Sequence, residues 1–310
     1  MKTVAVIGSS TDEHTRYVAE AVQRRRARVV LVETAGVPES STLTWEGGSV
    51  RYQGERLEDI RAFYIKRLQL SLPMPSPEEL AARPFDTWQE QYVAERERQS
   101  LLQSVLRALG QGKGRTFVNP YEAIELHHLK LYQLALLQRH KVPVPPSLGT
   151  CDPQAVRDFV HTHGSVIYKP LGGGAMVRRM GEEDLTDARL ALLGQCPVLF
   201  QAEIRGEEFR AYVLAGEPVA AFRIPTEGVV DARQNIEQVK PARLPEEGWQ
   251  VCLRAARAVD MVFTAVDLRR DADGRFVVLE CNPTPAISFF DDPRRGKVIS
   301  ALSRYLVEKA

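Results

Sequence analysis

The sequence has few cysteines, no long hydrophobic run and almost no net charge. Its 310 residues include four cysteines and no CxxC pair, so a disulfide-stabilised small secreted domain is excluded. No stretch approaches the roughly 18 consecutive apolar residues of a membrane span. Because 41 basic residues nearly cancel 40 acidic ones, no global field attracts a polyanion. We therefore expect a soluble cytoplasmic protein with neither nucleic acid nor membrane as a partner.

Two common nucleotide-binding signatures are also missing. The chain opens with a β-α-β pattern over residues 3–32, but no GxGxxG follows the first strand. The glycines of residues 110–114 do not follow the GxxxxGK[ST] order. We expect a structural α/β layer in the first case, with dinucleotide binding as the weaker alternative, and a surface linker in the second. Residues 43–57 predict short antiparallel strands, and residues 88–109 predict a long helix.

A glycine triplet lies in the middle of the chain, shortly after a predicted strand that ends in a lysine. The pattern predicts one helix over residues 122–140 that carries Lys130, and later a strand that ends at Lys169. The triplet that follows is Gly172, Gly173 and Gly174. Glycines let backbone N–H groups approach phosphate oxygens, and a nearby lysine can neutralise the same phosphates. A flexible hairpin is the alternative interpretation of the triplet alone.

The next segment, residues 198–224, predicts an antiparallel meander with several charged residues. Such a segment can offer backbone hydrogen bonds to a base, a carboxylate to ribose hydroxyls and arginines to a transferred phosphate. Each charge taken alone is more typical of a solvated surface. The residues concerned are Gln201, Glu203, Ile204, Glu208, Arg210 and Arg223.

A β-hairpin over residues 264–281 predicts a magnesium site. If Arg270 pairs with Arg275, Asp267 lies opposite Val278, and side chains then alternate between the two faces. One face would carry Asp267, Val278, Glu280 and Asn282. Two carboxylates and one amide oxygen suit Mg²⁺, which is usually completed by water and substrate phosphates. An ordinary solvent-facing hairpin is the alternative.

The order of these motifs resembles the ATP-grasp superfamily from about residue 120 to the end. The sequence is most similar to RimK-type carboxylate–amine ligases, and within them to the graspetide (microviridin-type) peptide maturases. The resemblance implies an α/β protein in which two α+β lobes form the ATP-grasp fold, preceded by a Rossmann-like pre-ATP-grasp domain. The predicted domains are residues 1–118 for the N-terminal domain, 119–196 for the central lobe and 197–310 for the C-terminal lobe with the metal site.

The resemblance also assigns a role to each candidate residue. It implies Lys130 and Lys169 on the ATP phosphates, and Glu208 on the ribose. The adenine hinge would include Gln201, Glu203 and Ile204, and the Mg²⁺ ligands would be Asp267, Glu280 and Asn282. Arg210 and Arg223 would stabilise an acyl phosphate. Arg233 is a candidate contact to the carboxylate or acyl phosphate, with an ordinary loop arginine as the alternative.

The implied activity is ATP-dependent joining of a carboxylate to an amine or hydroxyl, with ADP and phosphate as products. ATP and Mg²⁺ are the expected cofactors, with Mn²⁺ as the alternative cation. The expected partner is a carboxylate-bearing substrate, for which the maturase likeness suggests a peptide, and related ligases are often homo-oligomers. A RimK-type glutamate ligase acting on a protein or small molecule is the first alternative. A kinase and a non-catalytic nucleotide-binding module are alternatives of another class.

Overall fold

A computed structural model describes residues 1–34, 41–66, 87–172, 176–225 and 238–310. Contacts within the chain divide it into two compact units. The first comprises Met1–Tyr121, Pro293–Arg295 and Ile299–Ala310, and the second comprises Glu122–Asp292 and Gly296–Val298. The finer three-domain division stays a prediction.

The first unit contains a parallel sheet and a small antiparallel sheet. Its elements are β1 (Thr3–Gly8), α1 (Glu13–Arg24), β2 (Arg28–Glu33), β3 (Leu43–Glu46), β4 (Ser49–Tyr52), β5 (Glu55–Arg56), β6 (Ala62–Ile65), α2 (Trp88–Gly110) and β7 (Thr116–Val118). The parallel sheet has the strand order β2-β1-β6-β7, and the antiparallel sheet has the order β3-β4-β5. Both the predicted short strands and the predicted long helix are confirmed.

The β-α-β start follows from the burial pattern and from one helix cap. Residues 4–7 of β1 are fully buried, as expected of a strand covered on both faces. Asp12 caps α1, because its Oδ2 accepts a 2.7 Å hydrogen bond from the backbone N–H of Thr15. The chain then returns as β2, parallel to β1. The predicted β-α-β layer is therefore confirmed.

The second unit contains two antiparallel sheets. The chain from Tyr121 onward forms α3 (Tyr121–Glu125), α4 (Lys130–Arg139), β8 (Ser147–Thr150), α5 (Pro153–His163), β9 (Val166–Pro170), β10 (Arg178–Arg179), α6 (Asp187–Leu190), β11 (Val198–Ala202), β12 (Glu207–Leu214), β13 (Glu217–Ile224), β14 (Lys240–Ala242), α7 (Glu246–Ala258), β15 (Phe263–Arg270), β16 (Phe276–Asn282) and α8 (Lys297–Lys309). Of these residues, Tyr121 and α8 from Ile299 onward belong to the first unit. The four-stranded sheet has the order β10-β9-β11-β8. The five-stranded sheet has the order β14-β13-β12-β15-β16.

Each of these sheets buries one face against a helix. In the four-stranded sheet, Val166 and Phe200 pack against Val156 of α5. In the five-stranded sheet, alternate residues of β12 and β15 pack against α7, among them Phe209, Ala211, Val266 and Leu268. Because side chains alternate along a strand, the intervening residues of β12 and β15 lie on the other face of the sheet.

The predicted helix over residues 122–140 is wrong in one respect, because it is two helices. After α3, the backbone N–H groups of His127, His128 and Leu129 each bond to a carbonyl three residues back, which tightens the chain into a turn. The Nδ1 atom of His128 lies 3.0 Å from the carbonyl oxygen of Gly172. Histidine is a weak helix former, and this turn places Lys130 at the first residue of α4.

The described part of the chain contains no helix long and apolar enough to cross a membrane. All four cysteines are free thiols, with Cys151 and Cys196 exposed and Cys252 and Cys281 buried.

Candidate active site

A group of charged side chains lies on the face of the five-stranded sheet opposite α7. We call this the charged face, and it comprises Glu208, Arg210, Asp267, Arg269, Glu280 and Asn282. Glu208 pairs across the strands with Arg269, and Arg210 pairs with Asp267. Glu208, Asp267 and Arg269 are each less than 9% exposed, which is rare for charged residues unless they are paired. Binding or catalysis is the usual reason for such a cluster.

The predicted register of the β15–β16 hairpin is wrong, although the convergence of the three oxygen ligands is found. Arg270 pairs with Phe276 rather than Arg275, and Asp267 lies opposite Glu280 rather than Val278. The one-residue shift at Arg270 alone would place Asp267 opposite Leu279, and a β-bulge between Asp267 and Leu268 adds one further residue on β16. Val278 therefore lies with Leu268 in the core on the α7 side.

Arg210 and Asp267 form a bidentate ion pair at the centre of the charged face. The Nε and Nη2 atoms of Arg210 each donate to a different oxygen of Asp267, both at 2.7 Å. Asn282 Nδ2 donates to Asp267 Oδ2 at 2.9 Å. On its other side, the guanidinium of Arg210 lies 4.5 Å from the ring centre of Phe290. Burial raises the pKa of Asp267, and Arg210 opposes the shift without cancelling it.

Lys130 and Glu280 form the second ion pair of the site. Lys130 Nζ lies 3.1 Å from Glu280 Oε2. A lysine at a helix N-terminus is opposed by the helix dipole, so the carboxylate of Glu280 compensates for an unfavourable position. Burial by itself would raise the pKa of Glu280, but the ammonium groups of Lys130 and Lys169 outweigh it and hold the pKa at about 2.

A glutamine that no sequence motif identified joins α4 to β16, which carries two of the predicted metal ligands. Gln133 Nε2 donates to the carbonyl of Cys281 at 3.0 Å, and the Cys281 N–H donates to Gln133 Oε1 at 2.8 Å. Both groups are buried. These two reciprocal hydrogen bonds hold α4 at one position along β16 and thereby position Lys130. Only the i, i+3 spacing from Lys130 could have suggested it.

Lys169 is the penultimate residue of β9 and interacts electrostatically with the same cluster. Burial lowers the pKa of Lys169, and its attraction to Glu280 and Asp267 offsets only part of the effect. Gly172 lies beyond β9, where its carbonyl contacts His128. Gly173 and Gly174 lie outside the described residues, so their predicted phosphate contacts stay predictions.

The predicted adenine hinge connects β11 to β12. The buried Gln201 donates through Nε2 to Ser147 Oγ at 2.9 Å, which ties β11 to β8. The carboxylate of Glu203 accepts hydrogen bonds from Arg179 Nη2 at 2.6 Å and from Ser165 Oγ at 2.5 Å. The bond to Arg179 is the main reason that the pKa of Glu203 is lowered. The side chains of Gln201 and Glu203 therefore stabilise the hinge. The hydrogen bonds that the hinge can make to a base must come from its backbone groups.

The hinge ends at a glycine that no other residue could replace. Gly206 has φ +146°, and a Cβ there would lie 1.9 Å from the carbonyl oxygen of Arg270. The close approach of this backbone to the end of β15 requires a residue without a side chain.

Arg223 is not brought to the charged face. It pairs across the strands with Phe209, which packs on the α7 side, and its Nη2 lies 3.3 Å from Glu207 Oε1. The strand period of two separates it from Arg210. Arg233 lies outside the described residues, and its predicted role stays a prediction.

The oxygen donors fit a hard divalent cation. Lys130 uses only Oε2 of Glu280, and Asn282 uses only its amide nitrogen, which leaves Glu280 Oε1 and Asn282 Oδ1 for a cation. Oδ1 of Asp267 accepts one hydrogen bond and keeps a lone pair, whereas Oδ2 already accepts two. The described residues contain no group of three or more His, Cys, Asp and Glu side chains that could hold a metal. The set is thus incomplete alone and suits an ion completed by water and phosphate oxygens.

Comparisons with known proteins identify relatives of this chain. No protein-family model matches the chain. The ATP-grasp ligase PsnB in complex with a minimal precursor is 31% identical, with a TM-score of 0.85, and the match covers 100% of this chain and 99% of that one. The chain belongs to the ATP-grasp ligases. The predicted resemblance and the predicted α/β ATP-grasp fold are thereby confirmed, whereas the Rossmann-like character of the N-terminal domain stays a prediction. PsnB has also been solved with Mg and ADP.

More distant ATP-grasp ligases share the fold. The macrocyclase MdnC of Microcystis aeruginosa is 19% identical with a TM-score of 0.80, and the match covers 99% of both chains. Among curated proteins, glutathione synthetase of Brucella melitensis is 34% identical over 125 residues, which is 36% of this chain and 39% of that protein. A probable alpha-L-glutamate ligase of Shewanella amazonensis is 27% identical over 190 residues, covering 57% and 62%. The chain thus spans about two fifths of the length of the glutathione synthetase.

Proposed function

We propose that this ATP-grasp ligase uses ATP to activate side-chain carboxylates of a ribosomally made precursor peptide and joins them to hydroxyl or amine groups of the same peptide. The observation that carries the proposal is the similarity to PsnB, which extends over the whole length of both chains. PsnB has been solved with its precursor peptide and a nucleotide analogue. The free thiols and the use of ATP support a cytoplasmic site of action.

The chemistry begins with a carboxylate, which is a poor electrophile until one of its oxygens carries a phosphate leaving group. The γ-phosphate of ATP supplies that group, and an amine or hydroxyl then displaces phosphate from the acyl phosphate. Phosphoryl transfer depends on positioning and on fixed positive charge around the transferred group. Lys130, Lys169 and Arg210 are the cations that we assign to this role, on the basis of their common proximity to the charged face.

Asp267, Glu280 and Asn282 are the residues that would hold Mg²⁺, with Mn²⁺ as a second candidate. The bound ion would supply positive charge that offsets the phosphate oxygens. Arg210 and Lys130 neutralise the carboxylates of Asp267 and Glu280, respectively. We assign both cations a further role, which is to attract the phosphate oxygens of the substrate. The roles of Arg223 and Arg233 as further phosphate contacts remain proposals, and the position of Arg223 on the α7 side argues against the first.

The reaction is tested by measuring ADP release from Mg·ATP, with and without candidate peptides encoded beside the gene, together with the mass of the product. We expect release that depends on the peptide and a product that has lost the mass of one water for each bond formed. A product that gains the mass of a phosphate would instead identify a kinase. Release that depends on free glutamate would favour the glutamate ligase, a candidate supported by the 27% identity to the Shewanella amazonensis protein.

The site is tested by Glu280→Ala. This variant removes a metal ligand and the partner of Lys130, so we expect a loss of turnover of at least ~100-fold. The melting temperature of the nucleotide-free protein should fall, because Lys130 loses its carboxylate partner, so turnover is measured at a temperature where the variant is folded. Glu217→Ala, an exposed glutamate on β13 of the same sheet, is the matched control and should turn over normally. Turnover retained by Glu280→Ala would contradict the assignment.

A further inference from the structure

Arg269 contacts two separate parts of the candidate nucleotide site at once. Its Nε and Nη2 atoms both donate to Oε2 of Glu208, at 2.8 and 2.7 Å. Its Nη1 atom donates to the carbonyl oxygen of Ile204 at 2.7 Å. Glu208 lies on β12, whereas Ile204 belongs to the hinge before it. One guanidinium therefore spans the proposed ribose contact and the proposed adenine hinge.

The hydrogen bonds from Arg269 occupy only one of the two carboxylate oxygens of Glu208. Because both donors of Arg269 converge on Oε2, these bonds do not involve Oε1 of Glu208. The side chains of Arg269 and Glu208 are each only 9% exposed, so neither can rotate freely into water. A carboxylate fixed through one oxygen presents the other in a defined direction, which is what recognition of a hydroxyl group requires.

Charge explains why an arginine is needed at this position. Burial raises the pKa of Glu208, and the adjacent Arg269 is the strongest influence that opposes the shift. An ionised carboxylate accepts hydrogen bonds only, so it suits a ribose hydroxyl that donates. The planar guanidinium can bond the carboxylate and the Ile204 carbonyl together, whereas an ammonium group at the end of a flexible chain cannot reproduce this fork.

We propose that Arg269 is a positioning residue for nucleotide selection, which holds the Glu208 carboxylate toward the ribose hydroxyls and fixes it relative to the adenine hinge. The proposal rests on the proposed ATP site. Arg269 itself would contact no substrate and would act through Glu208. Discrimination between ribose and a sugar without hydroxyls would then depend on Arg269.

The test compares ATP with 2′,3′-dideoxy-ATP, which lacks both ribose hydroxyls, in the purified full chain. The quantity measured is the ratio of the two Kd values, obtained by calorimetry, because turnover is expected only when a peptide is present. A hydrogen bond to a charged group predicts that the wild type prefers ATP by about 10-fold or more. In Arg269→Lys we expect the ratio to fall toward one, chiefly because the Kd for ATP rises, while the Kd for the dideoxy analogue changes less than about twofold.

Two further variants make the result specific. Arg270→Lys is the matched control, because Arg270 is exposed and points to the other face of the same strand, and its ratio should equal that of the wild type. Glu208→Gln keeps an oxygen acceptor for Arg269 and should lower the ratio as Arg269→Lys does, so the test survives even if Arg269→Lys does not fold.

The outcomes distinguish a failure of this inference from a failure of the proposed function. A ratio that stays at the wild-type value in both Arg269→Lys and Glu208→Gln, even with a lower melting temperature, would show a merely structural ion pair and overturn the inference alone. A wild type that prefers ATP by no measurable factor would overturn it as well. A wild type that neither binds nor hydrolyses ATP would overturn the proposed function and the inference together.

Discussion

The two faces of the five-stranded sheet are built from alternate residues of the same strands, yet they differ in almost every property. On the face toward α7, Phe209 and Ala211 of β12 pack with Val266 and Leu268 of β15. On the charged face, Asp267 lies between Val266 and Leu268 in sequence and bonds Arg210 instead. Burying ion pairs costs solvation that apolar residues would not cost, so stability alone does not account for the charged face. The ligand role that we propose for this face would account for it.

The largest expected effect comes from breaking the central ion pair. Asp267→Ala leaves Arg210 buried beside Phe290 without its carboxylate, which should cost about 3–5 kcal/mol of unfolding free energy. The same change removes a proposed metal ligand, so turnover should fall below detection. Urea unfolding and ADP release measure the two effects. Asp273→Ala, in the exposed turn between β15 and β16, is a control that should change neither.

A substitution of Leu268, on the α7 side of the sheet, tests whether the two faces have separate roles. Leu268→Ala creates a cavity in the apolar core and should cost about 2–5 kcal/mol of unfolding free energy. Its KM for ATP, measured at a temperature where the variant is folded, should stay within about twofold of the wild type. A KM that rises as it does for variants of the charged face would show that the two faces are not separable.

A pH dependence should report the lysine that interacts with the charged face. The lowered pKa of Lys169 means that it loses its proton below 10.5, the usual value for lysine. The neutral amine cannot attract phosphate, so KM for ATP should rise as the pH approaches that lowered pKa, and by up to about tenfold per pH unit above it. Lys169→Arg stays protonated and should remove the alkaline rise. A rise that persists in Lys169→Arg would assign it to another group.

The free energy of unfolding should rise over the same pH range in which ATP binding weakens. Between the lowered pKa of Lys169 and 10.5, the unfolded chain keeps a proton that the folded chain has lost. Unfolding then takes up protons, so this lysine makes the protein more stable as the pH rises through that window. Urea unfolding of the wild type and of Lys169→Met at several alkaline pH values measures the difference. Equal slopes would contradict the lowered pKa.

The smallest expected effect concerns Cys281, which lies between the proposed ligands Glu280 and Asn282. Its side chain packs on the α7 side, as the strand period predicted, and burial raises its pKa well above the usual range. A thiol reagent should therefore label only the two exposed cysteines of the native protein and all four after unfolding. A third native thiol that ATP protects would place Cys281 on the charged face instead.

Much of the candidate site was predictable, because its residues are identified by chemistry and by strand period. The order of Lys130, Lys169, Glu208 and Asp267 along the chain indicated the family before any coordinates. Arg269 and Gln133 were missed for a physical reason. Their partners are 61 and 148 residues away in sequence, and an arginine or glutamine in a strand or helix gives no local sign of such a partner.

The sequence by itself determined the apolar alternation of the strands, the cap of α1 at Asp12 and the identity of the oxygen ligands, since each depends on residues within a few positions of one another. Only the tertiary structure decided the bulge that pairs Asp267 with Glu280, the break that places Lys130 at the start of α4, and the side of the sheet on which Arg223 lies. A single extra residue in a ladder moves side chains to the opposite face, and the energy that selects it comes from packing against distant elements.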